Sequence, residues 1–120
     1  MMGARTNFHF KQGDNYLTLY SHWGGDSKMQ DLAYAISMAE PRWDDIGYAT
    51  RIMVSVLIGD SWTSETGYGL HADAIGGEES YEHTIIDLDN KLVIVDGEPK
   101  PFKDFISYHS NTFHVGEMVN

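Results

Sequence analysis

The first hydrophobic pattern in the chain is a strict alternation of apolar and polar residues on both sides of a turn. The turn is Gly13–Asn15, and the alternating apolar positions around it are Phe8, Phe10, Leu17 and Leu19. Alternation places apolar side chains on one face of a strand, and Gly, Asp and Asn favour turns. The pattern predicts a β-hairpin whose second strand ends at Tyr20–Ser21.

The next segment has the spacing of one buried helix face. Asp26 or Ser27 can cap this helix, Glu40 before Pro41 closes it, and its apolar positions are Met29, Leu32, Ala33 and Ile36. The pattern predicts a first helix between the cap and Pro41.

A second helical segment is predicted after Asp44 or Asp45. Its apolar positions are Ala49, Ile52, Met53, Val56 and Leu57. Alternation from Thr50 to Ile58 leaves a buried strand open for residues 46–58, but the aspartate cap and the polar Arg51 and Ser55 favour a helix.

The second half of the chain reads as strands. Tyr68, Leu70 and Ala72 alternate, and residues 83–88 lead through Asp89–Asn90 into Lys91–Val95 as a hairpin. Beyond Pro99 and Pro101, Phe102–Tyr108 forms a short terminal helix or an edge strand. Hairpins outnumber βαβ units, so residues 1–120 are predicted to form a single α+β domain, an antiparallel sheet with two helices packed on one face.

Charge and composition narrow the possible functions. The 18 acidic and 8 basic residues give a formal net charge of −10, which repels a phosphate backbone, so no direct nucleic-acid binding is expected. The absence of Cys removes disulfides and thiolate chemistry and is typical of a reducing cytoplasm. Neither a long apolar run nor a signal-peptide pattern occurs, so we expect no membrane association.

One junction between strand and helix has the residue types of an anion-binding loop. His22, Trp23, Gly24 and Gly25 stand directly before the first predicted helix. Backbone N–H groups there can bind an anion, Trp23 can stack on a base, and His22 can donate or accept a hydrogen bond. The alternative is a tight turn with Trp23 in the core, and Asp26 competes with an anion as the helix cap.

Two arginines are further candidates for the ligand site. Arg5 and Arg51 belong to a set of only three arginines, and a guanidinium can bind a phosphate or carboxylate through two hydrogen bonds. A surface ion pair with one of the many carboxylates is the alternative for each.

A metal site is the remaining chemical possibility. His71 and Asp73 share one face of a predicted strand, and His83 can lie opposite them on the next. Solvent-facing or hydrogen-bonded histidines are the alternative. No Gly-Xaa-Ser-Xaa-Gly nucleophile motif is present, and no pattern identifies a cofactor.

The N-terminal part of the chain resembles a known group of proteins. The matching segments are Met2–Asn7, Leu19–Gly25, Gly47–Ile52 and Ile58–Gly69. They resemble small phage-encoded and bacterial proteins that open Met-Gly-Thr-Arg-Ser and continue to Tyr-Xaa-His-Trp/Phe-Asp-Gly-Tyr-Pro; Gly24–Gly25 departs from that last tetrapeptide. The resemblance implies a small accessory protein in the cytoplasm of an infected bacterial host.

Three functional hypotheses follow. The first is a phage-type accessory binding protein that counters host defence by sequestering a small anionic ligand, with a nucleotide as one candidate, or by blocking a host protein. The second is an acidic inhibitor that mimics nucleic acid at a basic site of a host enzyme. The third is a metal-dependent hydrolase using His71, Asp73 and His83. The sequence leaves the cofactor and the oligomeric state, a homo-oligomer included, open.

Overall fold

The computed structural model describes residues 6–21, 27–72 and 84–109. Along the chain two strands are followed by two helices, four strands and a third helix. The strands are β1 (Thr6–Gln12), β2 (Asn15–Ser21), β3 (Tyr68–Ala72), β4 (Thr84–Asp87), β5 (Leu92–Val95) and β6 (Glu98–Pro101). The helices are α1 (Lys28–Met38), α2 (Ile46–Ile58) and α3 (102–109), with short 3₁₀ turns at Glu40–Arg42 and Gly59–Thr63.

The six strands form one sheet in the order β3-β2-β1-β4-β5-β6. Every neighbouring pair is antiparallel except β1 and β4, which run parallel with Phe10 opposite Ile86. The predicted α+β class and the hairpins are therefore confirmed. The parallel pair at the centre was not predicted, because alternation reveals the buried face of a strand but not the strand beside it.

The helices cover one face of the sheet. The register aligns Phe8 and Phe10 of β1 with Leu19 and Leu17 of β2, and Ile86 of β4 with Val93 of β5. These side chains pack with the buried helix positions Leu32, Ile36, Ala49, Met53, Phe102 and Phe105. The third helix, α3, resolves the choice that the sequence left open for residues 102–108.

The residues of α2, for which a strand was the alternative, form a helix because its sides face different surroundings. Ala49 and Met53 are completely buried, whereas Arg51 and Ser55 are exposed. Asp45 holds the N-cap position, but its side chain makes no capping hydrogen bond; its backbone carbonyl accepts one from the N–H of Ala49 at 2.9 Å. Burial of one helix face, rather than a side-chain cap, stabilises this helix.

Two turns are joined at the end of the sheet where α2 begins. The N–H of Gly13, whose φ of 59° suits glycine, donates to Asp89 Oδ2 at 2.6 Å. Lys91 Nζ lies 2.9 Å from Asp44 Oδ1, just before α2. These contacts link the β1–β2 turn and the α1–α2 connection to the β4–β5 turn, so the N-terminus of α2 lies near the end of β1 and the start of β2.

No helix within the described ranges has the length and apolar character needed to span a bilayer.

Candidate functional site

A groove of about 440 Å³ lies between α2 and the sheet. Its apolar lining consists of Phe10, Leu17, Val54, Leu70 and Leu88. Gln12 and Asn15, which are paired across the β1–β2 hairpin, line the groove beside the turn. This volume lies in the usual range for small-molecule sites, about 300–1,000 Å³.

The side of α2 that lines the groove carries three small residues, Gly47, Thr50 and Ser55. Gly47, Thr50, Arg51, Val54 and Ser55 follow the spacing of a single helix face, and all of them line the groove. Glycine, threonine and serine are too short to fill the space above the sheet. The edge strand β3 does not close it, since Leu70 remains 54% exposed.

Arg51 stands at the junction of this groove with a neighbouring hollow. The hollow measures about 340 Å³ and is lined by Asp45, Gly47, Tyr48 and Arg51. The Arg51 guanidinium donates one long hydrogen bond, 3.3 Å, to the Ser55 hydroxyl. No carboxylate of the described residues lies within ion-pair distance of it. In a chain of net charge −10, Arg51 is therefore available to pair with an anionic ligand.

Gly47 lines both the groove and the hollow and has no side chain to fill either of them. A Cβ atom built at this position meets no heavy atom within 4 Å. A larger side chain can therefore be accommodated at Gly47 and would project into space that is now empty.

The structure describes two of the residues proposed from the sequence. Arg51 lies on α2 at the groove. His71 lies on β3 opposite Thr18 of β2, exposed and on the sheet face turned away from the helices. These two residues therefore do not belong to one site. The others lie outside the described residues and stay predictions: Arg5, His22, Trp23, Gly24, Gly25, Asp73 and His83.

The proposed metal site likewise stays a prediction. Of its three ligands only His71 belongs to the described ranges, within which no group of three or more His, Asp or Glu side chains could hold a metal ion.

Sequence reasoning identified Arg51 but missed the groove. The signal that could have indicated it is the stripe of small residues Gly47, Thr50 and Ser55 on a helix whose other face is apolar. That stripe becomes a cavity wall only when the sheet beneath it is known.

A third cavity, about 340 Å³, lies over β5 and β6, apart from the groove and the hollow. Met29, Val93, Val95 and Phe105 form its apolar part, and Glu98, Lys100 and His109 are its polar residues. The His109 ring lies 4.5 Å from the Phe105 ring, centroid to centroid. Burial, and secondarily the nearby Lys100 ammonium, lower the pKa of His109.

The lowered pKa of His109 predicts a defined response to the replacement Lys100→Gln. The pKa should rise in this variant, but not to its ordinary value, because burial is the larger cause and remains. The folded chain binds this proton less readily than the unfolded chain. The stability that neutral His109 contributes is therefore complete above its ordinary pKa and is lost as the pH falls through the lowered pKa. NMR titration of the imidazole measures the shift.

Lys103→Gln is the matched control. Lys103 is on α3, the helix of His109, but its ammonium lies 3.9 Å from the carboxylate of Glu40. The pKa of His109 should not change in that variant. An unchanged pKa in Lys100→Gln would remove Lys100 as a cause.

Comparison of the chain with protein-family models, with curated proteins and with solved structures found no match.

Proposed function

We propose that this protein is a non-enzymatic binding protein that sequesters a small anionic ligand in the groove between α2 and the sheet. The observation that carries this proposal is the coincidence of a ligand-sized cavity with Arg51, a guanidinium that no described carboxylate neutralises. A charge-assisted pair with a bound anion would use both features.

A binding role is favoured over catalysis by the residues that line the groove. Its polar side chains are amides, hydroxyls and one guanidinium: Gln12, Asn15, Tyr16, Thr50, Arg51 and Ser55. Among the described residues that line the groove, no histidine or carboxylate is present to serve as a general base near neutral pH. These groups can hold and orient a ligand.

The biological setting of the proposal comes from the sequence resemblance to small phage-encoded proteins. In that setting the protein is an accessory factor of the infected bacterial cytoplasm, which removes a signalling or metabolic anion on which host defence depends. Blocking of a host protein remains the alternative within the same hypothesis.

No specific observation favours the nucleic-acid-mimic hypothesis. That hypothesis calls for carboxylates concentrated on one face, as along a phosphate backbone. Exposed carboxylates lie on several elements, among them Asp31 on α1, Asp60 after α2, Asp96 between β5 and β6, and Asp104 on α3, and nothing described places them on a common face.

A depletion experiment tests the proposed function. The full chain is incubated with a small-molecule extract of bacterial cells and retained on a filter, and both fractions are analysed by mass spectrometry. One anionic compound should be depleted from the filtrate and recovered with unchanged mass when the protein is denatured. Extract filtered without protein is the control. Recovery of a chemically altered compound would indicate an enzyme, and absence of any depletion would contradict sequestration.

A further inference from the structure

We infer that the ligand of the groove is a singly charged organic acid with an apolar body, such as an acyl or aromatic carboxylate, rather than a nucleotide. The inference rests on the proposed function and specifies the chemical class of the ligand. Three features of the described residues carry it: the lining of the groove, the number of cations beside it, and the position of Arg51.

The lining of the groove suits an apolar body. Phe10 and Leu88 are almost completely buried beneath it, and Leu17, Val54 and Leu70 complete the apolar surface. A ribose placed on this apolar part of the lining would find no hydrogen-bonding side chain among these five residues and would lose hydrogen bonds to water there. A hydrocarbon chain or an aromatic ring gains free energy there, because it leaves water.

The charge beside the groove suits one negative charge. Arg51 is the only cation among the described residues that line the groove and the hollow, and Asp45 adds a carboxylate to the hollow. A nucleotide monophosphate carries about two negative charges at neutral pH, as phosphate monoesters do. The second charge would meet Asp45 and the overall net charge of −10 with no described cation to balance it.

The position of Arg51 places the charged group of such a ligand at one end. Gly47 and Arg51 line both the groove and the hollow, and the guanidinium donates to Ser55, another residue of the groove. A carboxylate there can accept two parallel hydrogen bonds from the guanidinium while the apolar body lies over Phe10 and Leu17.

The test compares octanoate with 1-octanol, which has a chain of the same length and no charge, and with AMP. Each is titrated into the ¹⁵N-labelled full chain, and the amide resonances of Gly47 and Thr50 report binding in the groove. We expect octanoate to bind about ten- to hundredfold more tightly than 1-octanol, the range of a charge-assisted contact. AMP should cause no saturable shift at these amides.

The variant Arg51→Gln removes the charge and keeps a polar side chain. The preference for octanoate over 1-octanol should fall by about fivefold or more, because a neutral amide cannot replace the ion pair and the two parallel hydrogen bonds of the guanidinium. Lys103→Gln is the charge-matched control, because Lys103 lies on α3 and lines neither the groove nor the hollow. The control should keep the wild-type preference.

Three outcomes would overturn the inference. Equal binding of octanoate and 1-octanol by the wild type would remove the charged contact, and a preference that survives in Arg51→Gln would place it elsewhere. Saturable AMP binding at Gly47, tighter than that of octanoate, would identify a nucleotide site and leave the proposed sequestration intact. A failure of sequestration itself is recognised separately, since no compound would then be depleted from the cell extract.

Discussion

Replacing Gly47 by phenylalanine is expected to weaken ligand binding in the groove while the protein remains folded. The Cβ at this position meets nothing within 4 Å, so the substitution causes no clash at the backbone, and a benzyl group is long enough to reach into the groove that Gly47 lines. A bulky side chain in this space takes the place of part of the ligand. We expect Kd to rise by at least about tenfold, or about 1.4 kcal/mol.

Gly47→Ala is the matched control for this variant. A methyl group leaves most of the groove open, so affinity should change by less than about twofold. The melting temperature should rise, because replacing a glycine within a helix stabilises it by about 0.5–1 kcal/mol. Calorimetric titration and thermal melts of the two variants separate blocked binding from lost folding. Wild-type affinity in Gly47→Phe would show that the ligand binds elsewhere.

The largest expected effect on stability is that of Phe8→Ala. Phe8 is 2% exposed at the centre of β1, beneath the helices, and it does not line the groove. Truncation of a buried phenylalanine costs about 3–5 kcal/mol, including the cavity that it leaves. Because domains of this kind are stable by about 5–15 kcal/mol, the variant should lose a large share of its stability. Urea denaturation followed by circular dichroism measures this loss.

Trp62→Ala removes a still larger aromatic side chain from the surface and is the control for Phe8→Ala. Trp62 is 78% exposed after α2, and substitutions at such positions usually change stability by less than about 0.5 kcal/mol. Similar losses in the two variants would contradict the placement of the core on this face of the sheet.

The sequence by itself determined which segments fold and which side of each faces the core. Alternation at Phe8, Phe10, Leu17 and Leu19 predicts β1 and β2 with their buried faces, because a strand turns every second side chain to the same side. Helical spacing predicts α1; for residues 46–58 it left a strand open, and the aspartate cap with the polar Arg51 and Ser55 favoured the helix that the structure has. Each hairpin and each helix is recognised from neighbouring residues, and the α+β class follows from the set of these elements.

The tertiary structure alone decided how the hairpins are arranged in one sheet and what chemistry lies between the layers. Nothing in the pattern of β4 states that it pairs in parallel with β1, since pairing depends on where the intervening helices return the chain. The same holds for the site. The sequence shows that Arg51 is one of only three arginines and can bind an anion, and that Gly47 has no side chain. Both residues line a groove over Phe10 and Leu70 because α2 lies at a particular distance above the sheet. No local sequence pattern gives that distance.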